Sequence, residues 1–177
     1  MTSPISYLVL NSSGSTVGAG VSPDGTLPKA NATFSYVACT STQAQNWSLC
    51  TVADGVVTLG EPALSAVQAV QSAAMRTACQ AAITAGFTSS ALGAVDNYPS
   101  DQTTQSNIAL AAISGGALWC QPNNGEWALT AHTAVQAQQV QKDLAAHIQA
   151  QQATYAGLLA DIAAATTVAA VQAIAWP

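Results

Sequence analysis

Between positions 133 and 164 the chain reads as one long helix. Ala, Gln and Leu dominate, no proline interrupts, Gly157 is the single weak helix former, and Thr133 stands where an N-cap belongs. Within it Ala137, Gln141, Leu144, Ile148, Gln151, Tyr155, Leu158 and Ile162 recur at alternating spacings of four and three. That is the 3.5-residue seam of a coiled coil rather than the broader stripe of a surface helix. Gln141 and Gln151 put amides into the seam, where a polar group fixes register or copy number at some cost in stability. The pattern serves two arrangements, an intermolecular bundle or a long amphipathic helix packed on its own domain.

The preceding pattern divides in two. Positions 5–10 and 34–39 alternate or run apolar as strands do, with a loop of Asn, Ser and Gly expected at 11–20 and a Pro23-Asp24-Gly25 turn after it. Asp54-Gly55 between apolar runs predicts a two-residue hairpin. Residues 1–60 therefore read as a small antiparallel β module with too few large apolar residues for high stability alone. At Gly60, Glu61 and Pro62 the texture changes. Leu64, Val67, Val70, Ala74, Ala78 and Ala81 then recur at helical spacing up to Gly86, with Pro62 placed at the first helical position. Residues 87–102 read as a loop. Asp101 or Thr103 caps a shorter helix ending near Ser114, and Asn124-Gly125 predicts a second hairpin over about 117–130. Thr166 or Thr167 caps a last short helix. Trp119 and Trp127 are expected to anchor the second hairpin against a helix, and Trp176 to dock the end of the chain. The expected class is α+β: the β module over 1–60, then a mainly helical domain over 61–177.

Composition narrows the function. Three basic residues (Lys29, Arg76, Lys142) face eight acidic ones, for a net charge of −5. Binding to a phosphate backbone or an anionic membrane depends on Lys and Arg, so nucleic acid and membrane partners are not expected. No window is long and apolar enough to span a bilayer, and residues 1–10 lack the basic and apolar regions of a secretory signal. Cys39, Cys50, Cys79 and Cys120 form no CxxC pair, which points to buried free thiols; Cys39 with Cys50 is the pairing a hairpin would allow.

Catalytic constellations are sparse. His132 and His147 are the two histidines and match no helical ligand spacing; His147 follows Asp143 by four residues, which suits an exposed side-chain pair. There is no GxSxG, and no phosphate loop forms from Gly14, Gly18 and Gly20. Asp96 and Asp101 flank a Tyr-Pro loop as the acid and base of a glycosidase would, yet sugar sites are framed by aromatic platforms and this loop offers only Tyr98. No catalytic residue, cofactor or metal is expected.

Four segments carry a resemblance. MRTACQAAITAGFTSSALG (75–93), YPSDQTTQSNI (98–108), LWCQPNNGEWALTAHTAVQAQQV (118–140) and LLADIAAATTVAAVQAIAW (158–176) are similar, in that order, to a domain of unknown function found near the C-termini of tailed-bacteriophage tail and tail-fibre proteins. The resemblance covers about residues 76–176. It implies a structural virion component of the tail, made in the host cytoplasm and contacting other tail proteins. Joined with the seam, it leads to a homo-oligomer, a trimer by preference, with the β module attaching to the particle or facing the host. The alternatives are a receptor-binding module touching a host surface glycan through loops 11–20 or 96–101, and a fibre-assembly chaperone.

Overall fold

The computed structural model describes residues 3–122 and 125–177. Asn123 and Asn124, in the expected second turn, lie outside them. The chain divides between Ala63 and Leu64 into two units.

The amino-terminal unit is built on a three-stranded antiparallel sheet of β1 (Ile5–Asn11), β2 (Thr16–Ser22) and β3 (Phe34–Cys39), in the order β2-β1-β3. β2 occupies the second half of the stretch expected to be loop. Its Gly18, Ala19 and Gly20 hide it from a propensity reading, but Gly20 has a packing reason. A Cβ there would lie 2.5 Å from the ring of Tyr7, its partner across β1. The β1–β2 turn is held by Asn11, whose Oδ1 accepts from the backbone N–H of both Ser13 and Ser15. A short helix α1 (Ser41–Gln45), closed by a Thr40–Gln43 capping box, leads through a 3-10 turn to the hairpin β4 (Cys50–Ala53) and β5 (Val56–Leu59). Its loop is Asp54-Gly55, with φ of 49° and 77°, the left-handed pair a type I′ turn needs. All four cysteines of the chain are free, and Cys39 is half-buried rather than buried.

The carboxy-terminal unit begins with α2 (Leu64–Thr84). The helix starts two residues after Pro62, so that proline lies in the approach and not in the first turn. The stretch expected as loop carries two three-residue strands, β6 (Phe87–Ser89) and β7 (Asp96–Tyr98), too short to show an alternation of their own. Next come α3 (Gln102–Ser114), capped by Asp101, the hairpin β8 (Gly116–Cys120) and β9 (Ala128–His132), α4 (Ala134–Ala164) and α5 (Val168–Gln172). A bridge between Asn97 and Gln121 links β7 to β8, extending the two hairpins into one antiparallel layer.

α4 is the strut of this unit, and the apolar seam residues face its own neighbours. Ala137, Val140 and Leu144 are buried with Phe87, Tyr98, Ile108, Leu118 and Cys120, and Ile148 packs against that core. One half further on, Ile162 is buried with Met75 and Val171, and Tyr155, Leu158 and Trp176 pack on them. Gln151 is half-buried, and its backbone carbonyl accepts from Cys79 Sγ; Gln141 is exposed. The seam is thus filled from within the chain, by α2, α3, α5 and the hairpin layer.

Leu144→Ala is expected to destabilise the protein by about 2–5 kcal/mol in chemical denaturation, because a buried core position is emptied. Gln141→Ala should leave the unfolding midpoint where it is.

Candidate functional site

The hairpin layer has two faces. Pleating sends Phe87, Ser89, Asp96, Tyr98, Leu118 and Cys120 inward, and their intervening neighbours outward. Trp119 lies between Leu118 and Cys120, so burying those two forces it out: Trp119 is 52% exposed, and Trp127, just before β9, is 47% exposed. Neither anchors the hairpin, contrary to expectation. Trp176 does pack into the second core, half-buried.

The outward tryptophans border a cleft of about 630 Å³, whose lining includes Asn97, Asp101, Trp119, Gln121 and Trp127, with Thr88 and Gly86 behind them. Register explains the grouping. Thr88 lies opposite Asn97, and Asn97 bridges to Gln121, so these side chains share the outer face. Asn97 Nδ2 donates to Gln121 Oε1 at 3.1 Å, and Gln121 Nε2 donates to Gly125 O at 2.9 Å. Both amide planes are held in place by these bonds. The backbone pairs as well, Gln121 N–H to Asn97 O at 2.8 Å.

The two carboxylates considered as an acid–base pair lie in different settings. Asp96 is buried on the inward face. Asp101 lies at the cleft rim as the N-cap of α3. Its Oδ1 accepts from the N–H groups of Thr103 and Thr104, and its Oδ2 from the Thr104 hydroxyl at 2.6 Å. The Thr104 hydroxyl, followed by the backbone bonds, holds this carboxyl below its ordinary value of 3.8, which suits a cap and not a proton donor.

Behind the cleft runs a buried polar chain. Since the Thr130 carbonyl only accepts, His132 Nδ1 donates to it at 2.8 Å; His132 Nε2 and Tyr98 Oη are 2.9 Å apart. Burial, reinforced by Cys120 and Asp96, raises the Tyr98 phenol well above its usual range, so it stays protonated as a donor to the imidazole. His147 makes no bond with Asp143: its Nε2 donates to Ala82 O at 3.1 Å, and its ring stacks on Phe87. Asp143 instead accepts from Ser89 Oγ at 2.6 Å and Gln139 Nε2 at 2.8 Å. Both imidazole rings are thus tied into the fold by hydrogen bonds. Among the described residues no group of three or more His, Cys, Asp or Glu is placed to hold a metal ion, and no helix is long and apolar enough to cross a membrane.

Sequence reasoning missed Asn97, Gln121 and Thr88. The available signal was the Trp119–Gln121 spacing of two, which places both on one strand face.

Comparison with known proteins places this unit in a family. Residues 66–175 match DUF4376, described as a domain of unknown function, and the chain belongs to that family. No curated protein and no solved structure matches.

Tyr98→Phe is expected to cost about 1–3 kcal/mol in equilibrium unfolding, since His132 Nε2 loses its buried partner while ring packing is kept. The lowered carboxyl of Asp101 makes a contribution to stability that is present above its unfolded value of 3.8 and lost as pH falls through the lower folded value. Thermal melts taken from pH 5 downward should therefore show a shallower acid decline in Asp101→Asn, which keeps an N-cap but cannot titrate.

Proposed function

We propose that this protein is a non-catalytic structural subunit of the tail or tail fibre of a tailed bacteriophage. The ordered resemblance of segments within 75–176 to domains of phage tail proteins supports the virion assignment. The observation that carries a structural role is the distribution of apolar side chains on the carboxy-terminal unit. With the α4 seam filled internally, Leu110 and Ile113, one turn apart on α3, are 65% and 79% exposed, and Leu129 and Val135 are exposed as well. Exposed large apolar side chains that neighbour each other on one helix face, as Leu110 and Ile113 do, suit contact with another protein. Self-association, the trimer included, then uses such an outer surface and not the seam.

A receptor-binding role is the second reading, and the two exposed tryptophans of the cleft favour it. The burial of Leu144 and Ile162 in the core favours an outer surface over the seam, and the capping role of Asp101 speaks against a glycosidase pair.

Mass spectrometry of purified particles of the encoding phage should find the protein at constant stoichiometry. Its absence from particles would overturn the virion reading in favour of an assembly chaperone. Light scattering over a range of concentrations should show an oligomer that Leu110→Glu with Ile113→Glu dissociates without lowering the melting temperature; a monomer at every concentration would remove self-association from the proposal.

A further inference from the structure

We propose that the cleft bordered by Trp119 and Trp127 binds an uncharged, pyranose-containing glycan. Tryptophan is ordinarily well covered, and two of the chain's four stand about half exposed at one depression. The negative face of an indole attracts the weakly positive C–H face of a sugar ring, an apolar contact that leaves the ring hydroxyls free at its edge. Polar groups for those hydroxyls lie on the same sheet face. Asn97 and Gln121 fix each other's amide planes, so ordering them on binding costs little. Asn97 Oδ1 and Thr88 Oγ1 enter no hydrogen bond among the described residues.

Charge selects among ligands that stack. None of Lys29, Arg76 and Lys142 lines the cleft, and the ionised Asp101 is at its rim. A phosphate, sulfate or carboxylate would find no basic partner there and a carboxylate at the rim, which favours neutral sugars over nucleotides and acidic sugars. The volume of about 630 Å³ falls within the range of roughly 300–1,000 Å³ typical of small-ligand clefts. The assignment stands on the cleft alone, and its failure would leave the virion reading untouched.

The test is a glycan array carrying neutral, sialylated and sulfated oligosaccharides, probed with the fluorescently labelled full chain. The best neutral glycan is then titrated calorimetrically against variants. Saturable binding of neutral glycans is expected, with Kd raised at least tenfold in Trp119→Ala and in Trp127→Ala, and an intermediate rise in the Trp→Phe variants. Trp176→Phe should bind as the unaltered chain does. Because Trp119 and Trp127 are exposed, melting temperatures should hold; the Phe variants keep the test decisive if an Ala variant fails to fold. No bound neutral glycan, a preference for sialylated or sulfated ones, or unchanged affinity in both tryptophan variants would overturn the proposal.

Discussion

The carboxy-terminal unit depends on satisfying the carbonyls that its helices leave open at their C-terminal ends. A helix ends with its last carbonyls unpaired, and burying them bare costs more than one ordinary hydrogen bond contributes. Here side chains from neighbouring elements take them up. His147 of α4 and Ser100 bond Ala82 O and Ile83 O at the end of α2. Gln138 of α4 bonds Ala112 O at the end of α3, and Gln68 of α2 bonds Ile162 O and Ala165 O at the end of α4. Gln71 of α2 reaches Ile174 O beyond α5. Each bond closes a helix end and fixes the lateral position of two elements together. Alongside the Phe, Tyr, Leu and Ile side chains that fill the core, such bonds add directional constraints that help specify register.

α4 makes this possible by its length. Its 31 residues carry one apolar face past two successive partners: the hairpin layer with α3 over its first half, α2 with α5 over its second. The seam spacing is therefore a record of intramolecular packing. A 3.5-residue repeat states that a helix has a narrow partner along its whole length, and says nothing of whether that partner belongs to the same chain.

That distinction marks how much could be read in advance. The α+β class, α2, α3 with Asp101 as one of its two candidate caps, α4 with its Thr133 N-cap and the Asp54-Gly55 hairpin were all legible, because each rests on local periodicity or turn chemistry. β2, β6 and β7 were not. Glycine in β2 answers to the Tyr7 ring across the sheet, and three residues are too few to show an alternation. The direction of Trp119 was hidden for a related reason. Residues 117–120 are apolar on both faces, so the strand carries no phase, and only the burial of Leu118 and Cys120 against α3 and α4 settles which way the indole points. His147 and Asp143 are close enough in sequence to pair, yet better partners arrive from α2 and β6.

The same assignment of phase links the fold to the cleft. Had Trp119 faced inward, the layer would have gained core volume and lost its open aromatic surface. Leu118 and Cys120, smaller and fully adequate to cover Ile108 and Leu144, fill the inner face instead and release the larger ring to the outside. Behind it, the Tyr98–His132–Thr130 chain ties β7 to β9 across the buried side, while Asn97 and Gln121 tie β7 to β8 on the open one. The outer face is thereby braced from both sides and stays open to solvent, the combination a preorganised recognition surface requires.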